Sequence, residues 1–246
     1  MEELPSGPAG GGKKELGGGP RPEDLPEDKR CRIIDAAVAE FAERGYELAS
    51  TNAITARAGV SKGLLFHYFG RKKDLYLYLV RHVVDRYTER FFKDLPELDP
   101  DVIERVFQIA LHKQRLLLEE PQVNKFLIRA FQEIPEEVRP EITSLQAELG
   151  DRSEHILTDG VDVSRFRRGI DPRKAVILVT VCLEGLQELF KERLTPDLAE
   201  CPEEVARMLG ELREYLDILK YGLYEREEGG GPTDGSRLPE GEGRGC

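Results

Sequence analysis

Four cysteines in 246 residues, none near another, leave little to build a disulfide framework or a zinc site from. Cys31, Cys182, Cys201 and Cys246 form no C-x-x-C pair, so reduced thiols in a cytoplasmic setting are expected. No apolar run approaches the ~18–20 residues of a membrane span, so an integral membrane protein is not expected. No charged start leads into an apolar core, so no secretory signal is expected either. Enzyme signatures are also missing. There is no H-E-x-x-H, no phosphate-binding loop and no nucleotide glycine motif. None of the four histidines follows a glutamate by three residues, which excludes the di-iron bundle motif. Neither a cofactor nor a metal is expected. What remains is 34% charged and 39% hydrophobic, an ordinary soluble globular composition.

Glycine and proline are scarce except at the ends. Residues 1–26 hold seven Gly and five Pro, and residues 228–246 hold seven Gly and two Pro. Such segments bury too little apolar surface to offset chain entropy, so both are expected to be disordered tails. The net charge of −11 is unevenly spread, because residues 27–93 carry +4 and residues 94–246 carry −13. A basic amino-terminal third on an acidic protein suggests a polyanion-binding module joined to something else.

The body reads as helix throughout, with no stretch of period two. Ile33, Ile34, Ala37, Val38, Phe41 and Ala42 set a first helix over about 27–44, with Asp35, Glu40, Glu43 and Arg44 on its other face and Gly45 past its end. A short second helix starts after Ser50-Thr51 and stops at Gly59. Ser61 caps a third, Lys62 to Phe69. Two helices of about two turns joined through Gly59-Val60-Ser61 have the form of a helix-turn-helix, with Gly59 free to take the positive φ that the turn needs. Six more helices follow: about 72–94, 99–119, from Pro121, from Pro135 to about Thr158 with a bend near Pro140, from Asp171-Pro172, and from near Pro202. The fold class expected is all-α, about nine helices.

Ala58-Gly59-Val60-Ser61-Lys62-Gly63 runs on through Leu65, Tyr68, Phe69 and Lys72 to Leu75. This segment resembles the DNA-binding segment of TetR-family transcriptional repressors, and Phe41-Ala42-Glu43-Arg44-Gly45-Tyr46 resembles the family's F-x-x-x-G-Y/F. The match spans about residues 30–80. Phe66 stands where the family often has Tyr, and Thr55 where it usually has Ala. The residues support the same reading by themselves. A two-turn third helix must be held by its neighbours, and Leu65 and Phe69 face inward. Lys62, Gly63, Leu64, His67 and Tyr68 are left outward for bases and phosphates, with Gly63 allowing close approach and Leu64 suited to a thymine methyl. Thr51, Asn52 and Ser61 at helix starts, and Lys72 at the start of the fourth helix, complete the expected DNA-binding set. Arg57, Arg71 and Lys73 are further phosphate candidates. Gly59-Val60-Ser61-Lys62-Gly63 also matches the hydrolase G-x-S-x-G, but that elbow needs a strand before the serine, and here a helix precedes it.

The resemblance implies a ligand-responsive repressor that releases double-stranded operator DNA when a small effector binds. The expected domains are a DNA-reading module, 27–70, and a ligand-binding and dimerisation bundle, 71–227, linked by the fourth helix. The apolar run Ala175–Leu183 and the seam of the ninth helix predict a homodimer through helices 8 and 9, hence a palindromic operator. An effector pocket is expected from Tyr87, Phe107, Leu111, Phe126, Leu127, Phe131, Val179 and Leu183, with polar groups from Gln108, His112, Arg115, Arg129 and Gln132. An arginine there would suit a mostly apolar ligand with an acidic end, such as a fatty-acyl compound; a planar hydrophobic drug is the alternative. Arg115 and Arg129 also have Glu119 and Glu133 four residues on as possible partners. The reading of another class is a helical interaction or scaffold protein without specific DNA reading.

Overall fold

The computed structural model describes residues 20–222 except 192 and 194, so residues 1–19 of the expected amino-terminal tail and all of the expected carboxy-terminal tail, 228–246, lie outside the described residues. Among the described residues there are nine α-helices and no strand: α1 (Glu27–Leu48), α2 (Thr51–Ala58), α3 (Lys62–Phe69), α4 (Lys72–Lys93), α5 (Val102–Glu119), α6 (Pro121–Gln132), α7 (Arg139–Thr158), α8 (Pro172–Lys191) and α9 (Pro202–Tyr221). None of these helices is long and apolar enough to cross a membrane.

The first four helices start and stop where the local chemistry directs. Gly45 lies at φ 68, ψ 177 and interrupts the helical run of α1. Ser50 Oγ accepts the Ala53 N–H at 3.4 Å and Ser61 Oγ accepts the Leu64 N–H at 3.2 Å, so each hydroxyl satisfies an orphan donor at a helix start. Gly59 takes the left-handed conformation, φ 64, ψ 39, between α2 and α3. Asp74 turns back to accept the Arg71 N–H at 2.8 Å and opens α4.

Three elements differ from the sequence reading. The fifth helix begins at Val102 rather than Asp99, because Asp101 Oδ1 accepts the N–H groups of Ile103 (2.9 Å) and Glu104 (3.3 Å) and makes itself the cap. Pro140 produces no bend. A 3-10 turn at Glu136–Val138 precedes α7, and Pro140 sits in the first turn of that helix, where a missing N–H costs nothing. Part of the expected amino-terminal tail is also structured: Pro22–Asp24 forms a 3-10 turn and Leu25 is buried.

Three apolar clusters hold the helices. The largest joins α1, α2, α3 and the first half of α4 to Phe126, Leu127 and Ala130 of α6, to Val138 of the 3-10 turn and to Ile142 and Leu145 at the start of α7. A second joins α5, α8 and α9 around Val102, Val106, Val179, Leu183 and Leu216. The third packs Phe91 of α4 on Ile109 and Leu116 of α5. With 22 residues α4 is about 33 Å long, at 1.5 Å per residue, and runs from the first cluster to the third.

A charged joint fixes α9 to α5. The Glu104 carboxylate accepts from Arg213 Nη1 and Lys220 Nζ, both at 2.6 Å, and Lys220 also reaches Asp101 at 3.1 Å. These two cations hold the Glu104 pKa down from 4.5 to about 2. A carboxyl lowered in the folded state stabilises it above its unfolded pKa and loses that contribution as pH falls through the folded value. Stability should therefore fall between pH 4.5 and 2 more steeply in the wild type than in Glu104→Gln. Chemical denaturation at stepped pH measures this, and equal slopes would contradict the joint.

Candidate nucleic-acid interface

The surface of α3 is built by what it buries. Leu65 and Phe69 are 1% and 3% exposed, which fixes the rotation of the helix and turns the rest of it outward. Lys62, Gly63, Phe66 and His67 are exposed, while Leu64 and Tyr68 are half-buried at the edge of the core. Lys62 Nζ lies 5.7 Å from the centre of the Phe66 ring, and the His67 and Tyr68 rings meet edge-on at 5.0 Å. A Cβ at Gly63 would meet nothing within 4 Å, so the helix presents open backbone there. Phe66 thus offers a ring face and a cation in place of a hydroxyl. Thr55, at the other departure from the family pattern, is buried and donates to Asn52 O at 3.0 Å.

Around α3, Asn52 and Ser61 are exposed and Thr51 is half-buried. Lys72 Nζ donates to Glu47 O at 3.0 Å and lies 4.9 Å from the Tyr46 ring centre, so its charge is held beside the end of α1. Arg71 is exposed. The other two phosphate candidates have partners: Arg57 pairs with Glu43 at 3.7 Å, and Lys73 reaches Glu137 O at 2.7 Å and Glu141 at 3.0 Å.

Glu40 corrects the sequence reading. It is 4% exposed rather than on the open face of α1, and its carboxylate accepts the Ser50 N–H at 3.0 Å with Arg44 at 3.5 Å. A buried carboxylate is tolerable where a helix start supplies donors and positive dipole, and Glu40 ties α2 to α1 in this way. The reading module is also tied to the body. Arg129 Nε of α6 donates to Ala42 O at 2.9 Å, and the Tyr46 hydroxyl donates to Glu137 at 2.6 Å. Burial and the Glu137 carboxylate push the Tyr46 phenol well above its ordinary range, so it stays a donor.

The expected effector residues fall in separate places. Phe126 and Leu127 are buried in the cluster shared with the reading module, with Phe131 packed beside them. Phe107, Val179 and Leu183 belong to the α5–α8–α9 cluster. His112 is buried with its Nε2 3.0 Å from Phe91 O, and Gln108 accepts the Asp99 N–H at 2.8 Å. Leu111 is 42% exposed. Arg115 and Arg129 pair with Glu119 (3.5 Å) and Glu133 (2.6 Å), the alternative that the four-residue spacing left open. Gln132 is exposed on the last turn of α6. Tyr87 does border a cavity, of about 90 Å³, with Val83, Arg86, Arg90, Leu116, Glu120, Val123 and Asn124. An open cleft of about 280 Å³ lies over Leu95, Leu98, Arg105, Ile156 and Asp159. The buried Arg105 there is already engaged by the carbonyls of Asp99 (2.9 Å), Gly160 (3.3 Å) and Asp159.

Residues 33–79 match the model for bacterial regulatory proteins of the tetR family. Through this segment the chain is similar to TetR-family regulators. It is 27% identical over 147 residues to the fatty acid metabolism regulator protein of Bacillus subtilis, covering 60% of this chain and 75% of that one. It is 41% identical over 76 residues to the transcriptional activator FasR of Mycolicibacterium smegmatis, covering 30% and 35%. Among solved structures, a TetR-family regulator from Chloroflexus aurantiacus matches 85% of this chain and all of its own at TM-score 0.52 and 27% identity. FadR of B. subtilis in complex with stearoyl-CoA matches 79% and 99% at TM-score 0.57 and 23% identity, a likeness of fold. The TetR-family match includes α2, α3 and the start of α4, where the caps and outward residues of the reading module lie.

Gly63 separates folding from reading. Gly63 is the second residue of α3 and a Cβ there meets nothing, so Gly63→Ala should raise the unfolding free energy by up to roughly 0.5–1 kcal/mol. On the expected contact set the same methyl faces DNA, and it should then weaken specific DNA binding at least tenfold while sparing random DNA. Thermal melts and gel shifts measure both; unchanged specific affinity would remove Gly63 from the interface.

Proposed function

We infer that the protein is a ligand-responsive transcriptional repressor. Two copies hold a palindromic DNA operator, and a small, mostly apolar effector bound in the body releases it. The observation that carries this reading is α3: a capped two-turn helix anchored by Leu65 and Phe69, with Lys62, Gly63 and His67 turned outward. Thr51, Asn52, Ser61, Leu64, Tyr68 and Lys72 complete the contact set, the hydroxyls and helix starts serving phosphates and Leu64 a base edge. One two-turn reader makes few base contacts, so tight binding calls for a second copy.

Assembly through α8 and α9 is supported by the apolar side chains left on them. Ile177 (62%), Leu178 (57%) and Val181 (57%) of α8 and Ile218 (45%) and Tyr221 (69%) of α9 are exposed. Exposed apolar side chains on two helices favour burial against a copy of the same surface. Relatives that regulate fatty acid metabolism, and the stearoyl-CoA held by a protein of the same fold, support an acyl-type effector.

Selection from a random DNA library, followed by gel shifts with free fatty acids, acyl-CoAs and cationic dyes, tests the reading. The expected outcome is a two-fold symmetric site with low-nanomolar affinity, released by acyl compounds and not by dyes. Failure to enrich any sequence at low salt would favour a helical scaffold protein, and release by dyes alone would overturn the acyl effector.

A further inference from the structure

The cavity between α4, α5 and α6 has an apolar wall and a charged mouth. Val83, Leu116 and Val123 form the wall with the Tyr87 ring. Arg86 and Arg90, one turn apart on α4, stand at the mouth. Arg86 is paired with Glu120, and Arg90 with Glu120 at 3.1 Å and with Glu119. Asn124 also borders the cavity. It is 7% exposed, and no described residue hydrogen-bonds its side-chain amide. Its amide atoms remain open to the cavity, where a bound group can accept from them or donate to them. At about 90 Å³ the cavity is smaller than the ~150 Å³ hole that holds benzene in another protein, so it suits a polar head and its first few carbons.

We propose that this cavity binds the carboxylate end of an apolar acid, held by Arg86, Arg90 and the Asn124 amide. The inference rests on the acyl-effector reading and gives it a site. The mouth has no spare positive charge: Arg86, Arg90 and Arg115 face Glu119, Glu120 and Asp94. A carboxylate therefore enters by exchange, taking the place of Glu119 and Glu120 as partner of the arginines. Those glutamates form the corner between α5 and α6, where Glu120 leaves helical geometry at φ −132, ψ 72. Freeing the corner lets α6 move against α4, and α6 carries the Arg129 that holds Ala42 of α1. Ligand binding and operator binding are thus alternatives for one set of ion pairs, which supplies the differential affinity that a switch requires.

Calorimetry on the full chain with hexanoate, hexanol and hexanoyl-CoA tests the site. Hexanoate should bind the wild type at least tenfold more tightly than hexanol, and the thioester arm shows whether a free carboxylate is needed. Asn124→Leu, which fills the cavity, and the double variant Arg86→Gln/Arg90→Gln should each weaken hexanoate at least tenfold. Glu119→Gln/Glu120→Gln removes the competitor and should tighten hexanoate about fivefold, a gain that misfolding would not give. Equal affinity for acid and alcohol, no binding of hexanoate, or affinities unmoved by these variants would overturn the proposal. Variant-sensitive binding that leaves operator DNA bound would uphold the site and sink the effector reading. Acyl-driven release unaffected by the variants would do the reverse.

Discussion

The packing of α1 against α6 is the constraint on which the rest depends. Phe41 of α1, Tyr76 of α4 and Phe126 of α6 meet within one aromatic group, with ring centres 5.0–6.4 Å apart. Phe41 and Phe126 are at most 1% exposed. Because α1 also carries α2 through Glu40, and α3 packs on α2 and α4, the orientation of the reading helix is set by a core that already includes the body. A reader with a core of its own on a flexible tether would be indifferent to what happens in α6. Here an element that moves α6 must either carry α1 with it or give up buried aromatic contacts. Interiors packed this densely shift between discrete arrangements rather than deform smoothly.

Charge follows the same division. The basic excess of residues 27–93 sits on a chain that is otherwise acidic. Several cations of the body are neutralised: Arg213 and Lys220 by Glu104, Arg193 by Glu211 at 2.6 Å, and Arg86 and Arg90 by Glu119 and Glu120. On α3, by contrast, Lys62 has only a ring beside it among the described residues. A polyanion therefore meets free positive charge at the reading helix, and the acidic remainder discourages it from settling elsewhere.

The sequence made legible whatever is decided within a few residues. Ser50, Ser61, Gly59 and the bounds of α2 and α3 were readable because a cap and its donor lie three residues apart. Expectations failed where the partner is distant in the chain. Glu40 looks like an open-face residue until Ser50, ten positions on, folds over it, and Arg129, which does pair with Glu133, also reaches the carbonyl of Ala42, 87 positions away, which no local spacing shows. Apolar spacing likewise gave the inward faces of α5, α6 and α8 without saying which neighbour each one meets. The expected effector residues are therefore spread over three clusters. One signal for a cavity was available: Asn124 interrupts the apolar stripe that runs through Val123, Phe126, Leu127 and Ala130.

Native-state hydrogen exchange on the full chain measures the central claim directly. If α1 and α6 share one core, the slowest amides around Phe41 and those around Phe126 will open with the same free energy and the same dependence on denaturant. If the α1 amides opened at a lower free energy, with α6 still protected, the reading module would have a core of its own and the coupling described here would have no physical basis.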